Sequence, residues 1–149
     1  MLLSSIIPGT PVEVACDLSA AQIAAGGHAL RTVRDWRFRT SELSIDDTLA
    51  LRELTTVIDR FELLEGHGAH DTLQVSAARL VLIAEAVREF VVATAESDAV
   101  TEASRTHFPV AAALGDPLAD LAQQALQAAL ADLPEAELSD SDFDALLGD

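Results

Sequence analysis

Two of the chain's four histidines lie in one short segment, Glu65-Gly66-His67-Gly68-Ala69-His70-Asp71, between two carboxylates. Histidines three residues apart with acids beside them are residue types that bind zinc or another divalent cation. A zinc site requires about three or four ligands, and the segment has no HExxH, Glu-x-x-His or CxxC pattern. His28 and His107 are remote in sequence, and nothing in the sequence brings them near His67 and His70.

The same segment has a simpler interpretation as a connection between two helices. Gly66 is the residue type that ends helices, Gly68 favours a turn, and Asp71 can cap a following helix. This interpretation uses every residue, so we expect a helix–helix turn. A metal-binding helical bundle, or an enzyme built on the two histidines, stands as an alternative function.

A second candidate site is a cluster of four arginines, Arg31, Arg34, Arg37 and Arg39, interleaved with a tryptophan and a phenylalanine. Such mixtures of bases and aromatic rings bind phosphates and stack nucleobases. The chain as a whole has a net charge of −16, which repels nucleic acid and anionic membranes. We therefore expect the arginines to pair with carboxylates, and anion or nucleic-acid binding stands as another alternative. The expected carboxylate partners are Glu42, Glu53 and Asp59.

The other residues give no positive evidence for catalysis. Cys16 lies on the apolar face of a strand pattern without a neighbouring histidine, which is typical of a buried structural cysteine. The chain has no G-x-S-x-G motif and no glycine-rich phosphate loop. We therefore expect a non-enzymatic protein that needs no cofactor.

The C-terminal segment 138–149 alternates acids with apolar residues. Phe143, Leu146 and Leu147 have the i, i+3, i+4 spacing of an amphipathic helix that binds a groove, and Asp142 and Asp144 lie between them. Acidic–hydrophobic segments of this kind often remain disordered until they meet a partner. The segment predicts a partner-binding tail, and the alternative is a short helix packed on its own bundle.

Composition bounds the class of protein. The 149 residues, half of them apolar, suffice for one domain with an ordinary core. All nine basic residues are arginine, which in an alanine-rich chain indicates a bacterial GC-rich coding bias. A single cysteine cannot form an internal disulfide, so a cytoplasmic location is expected. There is no secretory signal and no apolar run of about 20 residues, so no membrane association is expected.

The first eighteen residues predict a short β element. Val12, Val14, Cys16 and Leu18 alternate with polar or small residues, the two-residue period of a half-buried strand. The run Leu2–Ile7 precedes a proline–glycine turn signal and predicts a partner strand. Because a lone hairpin is marginal in water, it must pack on helices or pair with another copy. A homodimer through residues 1–18 is therefore a predicted association.

The rest of the chain predicts helices at about 19–39, 44–65, 71–96 and 117–133. Ser19 and Ser44 are expected caps. At Gly26 and Gly27 the first helix either breaks or continues with a close contact to another helix, and we expect it to continue.

The helix at 71–96 is expected to be the central, most buried one, because its turn Leu80–Ile83 is apolar on every side. A break is expected at residues 115–117, with Pro117 as the first residue of the last helix. The apolar face of that helix, which includes Leu126 and Leu130, is expected to face the core.

These patterns predict a mainly α protein, an antiparallel bundle of about four helices with a short N-terminal β element. Residues 1–137 form the expected single domain, and 138–149 form the tail. The expected function is a small acidic protein-interaction module, such as an adaptor, a chaperone-like protein or an inhibitor of a basic partner.

Overall fold

The computed structural model describes residues 3–7, 12–40, 44–65, 71–97 and 100–131. The described elements are β1 (Leu3–Ile7), β2 (Glu13–Leu18), α1 (Ala20–Thr40), α2 (Ile45–Glu65), β3 (Asp71–Ser76), α3 (Ala77–Glu96) and α4 (Glu102–Ala131). The predicted class is confirmed: four helices dominate these residues, with one three-stranded antiparallel sheet in the order β1-β2-β3.

The inner face of the sheet belongs to the hydrophobic core. Val14, Cys16 and Leu18 of β2 are buried, and so are Leu73 and Val75 of β3. These side chains alternate along their strands because successive residues of a strand point to opposite faces. The predicted strand near the N-terminus and its partner are confirmed as the β1–β2 hairpin.

The outer face of the sheet carries polar cross-strand pairs. The Thr72 hydroxyl donates to the Asp17 carboxylate at 2.7 Å, and the Gln74 amide donates to the Glu13 carboxylate at 2.6 Å. The pairs couple β3 to β2 on the side away from the core, so the amphipathic alternation explains both faces.

The expected helix at 71–96 is wrong at its beginning. Residues 71–76 form strand β3, and the helix starts at Ala77. Leu73 and Ala77 fit a helical stripe, but Leu73 and Val75 also have a two-residue period, and pairing with β2 selects the strand. Ser76 is the N-cap in place of Asp71, and its hydroxyl accepts from the Arg79 amide at 3.3 Å.

The connection at 65–71 therefore joins helix α2 to strand β3, and it does not join two helices. Its residues 66–70, which include His67 and His70, lie outside the described part of the chain.

Both predicted serine caps are confirmed. The Gln22 amide donates to the Ser19 hydroxyl at 3.2 Å, and the Ser19 amide donates to the Gln22 side chain at 2.9 Å. At the start of α2, the Asp47 amide donates to the Ser44 hydroxyl at 3.1 Å, and the Ser44 amide donates to the Asp47 carboxylate at 3.2 Å. In each reciprocal pair, two backbone amides at the start of the helix donate hydrogen bonds to side chains.

Helix α1 continues through Gly26 and Gly27, as expected. A Cβ atom at Gly26 would lie 2.7 Å from Cε1 of Phe61, and one at Gly27 would overlap the carboxylate of Glu65. The two glycines thus allow α2 to approach the backbone of α1 closely. Each glycine destabilises the helix by about 1 kcal/mol relative to alanine.

Helix α4 is one 30-residue helix, so the expected break near residues 115–117 and the expected start at Pro117 are wrong. Pro109 and Pro117 both lie inside it. An interior proline costs about 3 kcal/mol in a helix. Buried residues on both sides of Pro117 pack against α1 and α3, and this packing offsets the cost. These residues are Ser104, Ala111, Leu114, Gly115, Leu118, Leu121, Ala122 and Ala125.

The end of α4 differs from its predicted stripe. Leu126 and Leu130, expected to face the core, are exposed. The buried face of α4 ends at Ala125, the last of its buried positions in the described residues.

Helix α3 is the centre of the fold, as predicted. It packs against α1, α2 and α4, and it also contacts β2 and β3. Leu80 and Phe90 are fully buried near its two ends. No helix in the described ranges combines the length and the apolar character that crossing a bilayer demands.

Candidate functional site

The described surface contains a groove where the end of α1 meets the start of α2. Its volume is about 780 Å³. We call it the α1–α2 groove, and its lining residues are Phe38, Thr48, Leu49, Leu51, Arg52, Glu53, Thr55 and Thr56. Phe38 and Leu49 are each more than half exposed, and Ile45, one turn before Leu49, is 82% exposed. Three large apolar side chains are therefore in contact with water at one end of the helix pair.

The exposure follows from the rotation of α2. Leu51 and Leu54 face the core and are buried. Ile45 and Leu49 are four residues apart and share a face of the helix. Leu49 lies two positions before Leu51, a rotation of about 200° at 3.6 residues per turn. A rotation of α2 that buried Leu49 would therefore expose Leu51.

Three carboxylates of α2 lie close in sequence to the exposed apolar residues Ile45 and Leu49. Asp46 and Asp47 lie exposed in the first turn of α2, where acids stabilise the positive end of the helix dipole. Glu53 lines the groove and pairs with Arg79, Nε to Oε2, at 3.1 Å. Among the residues that the structure describes, Arg52 is the one basic residue that lines it. We call the exposed residues Phe38, Ile45 and Leu49 the apolar ridge. The acidic rim consists of Asp46, Asp47 and Glu53, of which Glu53 lines the groove itself.

A smaller polar pocket lies between α1, the end of α3 and the start of α4. Its volume is about 250 Å³. Ser104 borders it and is the one buried polar side chain in the described residues, at 6% exposure. Nε2 of His28 lies 2.9 Å from the Ser104 hydroxyl, and the Thr101 hydroxyl donates to Ser104 at 3.0 Å. Thr32, one turn beyond His28, donates to the His28 carbonyl at 2.8 Å.

A serine bonded to an imidazole is one half of a nucleophile–base arrangement. In the described residues no carboxylate is hydrogen-bonded to His28, so nothing orients the ring as a base. Ser104 is closely packed and already bonded on two sides. The arrangement joins α1 to α4, and it gives no support to a catalytic role.

Sequence reasoning missed this contact because the two residues are 76 positions apart. Neither residue has a local pattern that identifies the other.

The pKa of His28 is lowered from its ordinary value of 6.5, first by burial and then by His107 and Arg31. The His107 ring lies 4.9 Å from the His28 ring, centroid to centroid, and Phe90 meets it edge-on at 5.6 Å. The lowered pKa favours the neutral form of the His28 imidazole at pH 7.

We expect this histidine to make the fold less stable in mild acid. A lowered folded-state pKa means that stability is complete above pH 6.5 and falls as the pH drops below it, because the unfolded chain takes the proton first. The loss of thermal midpoint between pH 7.5 and pH 5.5 should be smaller in His28→Gln than in the parent. An equal loss in both proteins would show that His28 does not contribute.

Most of the arginine cluster is paired with carboxylates, as expected, although in the described residues these carboxylates are not Glu53 or Asp59; the third predicted partner, Glu42, lies outside the described part of the chain. The ion pairs are Arg31–Glu65 at 3.3 Å, Arg31–Glu62 at 3.8 Å, Arg34–Asp35 at 3.5 Å and Arg37–Glu89 at 2.6 Å. Glu53 pairs with Arg79 instead. Arg39 is exposed. Two of the four arginines thus connect α1 to other helices, Arg31 to α2 and Arg37 to α3, whereas Arg34 pairs with its neighbour on the same helix.

Cys16 is fully buried, and burial, with a smaller effect of Asp17, raises the pKa of its thiol to about 11. The thiol is therefore protonated at neutral pH and is no nucleophile. Within the described ranges, no three His, Cys, Asp or Glu side chains are grouped so that they could hold a metal ion. Residues 138–149, with the predicted anchors, lie outside those ranges, as His67 and His70 do.

The chain matches no protein-family model, no curated protein and no solved structure. A helical fold does not by itself identify a function.

Proposed function

We propose that the protein is an interaction module whose α1–α2 groove binds a basic, amphipathic segment of another protein. The observation that carries the proposal is the exposure of Phe38, Ile45 and Leu49 together at one end of a helix pair. Scattered apolar side chains are normal on a surface, whereas a contiguous apolar ridge beside a groove is typical of a protein-binding site.

The charge pattern specifies the chemistry of the partner. Asp46 and Asp47 lie beside the ridge, and the whole chain has a net charge of −16. A basic segment would be attracted over long range by this field and held by the local carboxylates. An amphipathic helix with leucine on one face and lysine or arginine on the other satisfies both the ridge and the rim.

The groove is not expected to take up the chain's own C-terminal tail. The tail is acidic, as the rim is, and like charges that meet at an interface oppose binding. The tail is instead proposed as a second contact with the same basic partner. Its proposed contact residues are Phe143, Leu146, Leu147, Asp142 and Asp144.

A synthetic leucine–lysine amphipathic peptide tests the groove directly. We expect it to bind the protein, measured by fluorescence anisotropy, and a leucine–glutamate peptide of the same pattern not to bind. Phe38→Ser and Leu49→Ser should each weaken the binding by about tenfold or more, as for central apolar anchors. Added salt should weaken it further, because the attraction between exposed charges is screened.

Leu63→Ser is the matched control, because Leu63 lies on the same helix and is 67% exposed but does not line the groove. It should bind the lysine peptide as the parent does. Equal losses in all three variants, or equal binding of both peptides, would refute the groove as the site. A chain that ends at Glu137 measures the share of the tail separately, since the proposed groove remains intact in it.

A further inference from the structure

Strand β1 is an open edge of the sheet. It pairs with β2 on one side, and the sheet order β1-β2-β3 leaves its other side without a strand among the described residues. Every second backbone amide and carbonyl of an edge strand points outward and is available to another strand.

The two edge strands of the sheet, β1 and β3, differ in their contacts with the helices. β3 contacts α2 and α3, whereas β1 packs chiefly on β2. Ser4 and Ser5 are exposed, and Ile6 and Ile7 are half-buried. Among the described residues no helix packs extensively on β1, so a further strand could be added at its free edge without displacing one of these helices.

Two of the usual protections of an edge strand, charge and proline, are absent from β1 itself. Natural edge strands carry charged residues, proline or bulges that prevent pairing with other chains. The sequence of β1, Leu3-Ser4-Ser5-Ile6-Ile7, has no charge and no proline in a chain with 23% charged residues.

We propose that two copies of this chain pair through β1. The strands run antiparallel about a twofold axis at Ser5, and they join the two sheets into one of six strands. In this register Leu3 lies opposite Ile7 of the second copy, and Ser4 lies opposite Ile6. The strand is complementary to itself, which a symmetric dimer interface requires.

The acidic surface does not prevent this pairing. Glu13 and Asp17, on the neighbouring strand β2, are the nearest carboxylates in the sheet. In the dimer the two β2 strands are three strand spacings apart, about 14 Å. That separation exceeds the Debye length of about 8 Å at physiological ionic strength, so repulsion between these acids is screened.

The interface is small, so the dimer depends on concentration. Strand pairing over the five residues of β1 covers much less surface than the roughly 1,200–2,000 Å² of a standard stable interface. We expect a monomer in dilute solution and a dimer at about 0.5 mM, where weak associations of millimolar to micromolar strength are populated.

Ser5→Glu tests the axis, because it places two like charges directly opposite each other. By analytical ultracentrifugation at about 0.5 mM, the parent and the uncharged control Ser5→Gln should approach twice the monomer mass, and Ser5→Glu should remain monomeric. An unchanged helical circular dichroism signal in all three proteins shows that the fold is intact. A monomeric parent at this concentration would overturn the proposal. That result is also the one expected if β1 pairs only with a different protein.

Cysteine crosslinking tests the register. Two Ser5→Cys residues on the axis face each other at about 4.5–5.5 Å between Cα atoms, within disulfide reach. Two Ser4→Cys residues are displaced along the strands to about 8 Å, beyond reach. Under mild oxidation Ser5→Cys should form a covalent dimer and Ser4→Cys should not; Cys16 is buried and does not compete. A covalent dimer from Ser4→Cys alone, or from neither variant, would overturn the proposed pairing.

Discussion

Leu80→Ala is expected to lower the free energy of unfolding by about 2–5 kcal/mol, the usual cost of emptying a closed leucine site. Leu80 is fully buried in α3, the helix that contacts the other three helices and the sheet. Leu54→Ala should have a cost in the same range, because Leu54 is equally buried in α2. Neighbours on several elements cannot all move into the space that the side chain leaves.

Chemical denaturation of the three variants Leu80→Ala, Leu54→Ala and Leu63→Ala measures these costs. Leu63 provides the control for the same chemical change on an exposed helical position. Its free energy of unfolding should stay within about 0.5 kcal/mol of the parent, as for most surface changes. Losses below about 1 kcal/mol at both buried sites would show that the core lies elsewhere.

Gly26→Ala should lower the free energy of unfolding by about 1–3 kcal/mol, as for an overpacked core. Its new Cβ would lie 2.7 Å from Cε1 of Phe61. Phe61 is a fully buried aromatic ring, so we expect the clash to push α1 and α2 apart. Alanine gains about 1 kcal/mol of helix propensity over glycine, which does not offset a displaced helix.

Gly27→Ala is the matched comparison, one residue away on the same helix. The new Cβ would meet the end of the Glu65 side chain, which is partly exposed and can turn away. The loss of the surface pair Arg31–Glu65 is worth about 0–1 kcal/mol. The gain in helix propensity is of similar size. Thermal melts should therefore place Gly27→Ala near the parent and Gly26→Ala well below it; the reverse order would contradict the packing described here.

The sequence patterns that predicted the fold correctly are those in which one period dominates. Leu51, Leu54, Ile58 and Phe61 recur at three and four residues, and all are buried on one side of α2. The strand β2 alternates over its whole length, and it forms the centre of the sheet. In both cases the local pattern and the tertiary contacts favour the same structure, so the pattern alone was sufficient to predict the element.

Strand β3 and helix α4 were mispredicted because distant contacts select between local alternatives. Six residues of β3 are too few to separate a strand from a helix start, and the pairing with β2 decides. In α4, Pro117 has the composition of a helix start, yet the helix continues through it. The packing of α4 on α1 and α3, invisible in one sequence, outweighs the proline penalty.

The α1–α2 groove was not predicted for a related reason. Phe38 appeared in the sequence as one aromatic residue within an arginine cluster, and Leu49 as one apolar residue of a helix. Only the rotation of α2 about its axis, fixed by the burial of Leu51 and Leu54, shows which apolar side chains the core leaves outside. Sequence periodicity predicts the buried face of each helix. It does not show which exposed apolar residues of two helices lie near each other.

The position of β2 in the sheet has a consequence for the order of folding during synthesis. β2 lies near the N-terminus, but its second neighbour, β3, follows only after both α1 and α2, so that bonded residues such as Asp17 and Thr72 are 55 positions apart. The ribosome releases the hairpin long before the strand that completes it. Until β3 emerges, Val14, Cys16 and Leu18 have no β3 side chains beside them, and β2 presents a second unpaired edge. The nascent chain thus passes through a period of heightened aggregation risk, which closure of this long loop brings to an end.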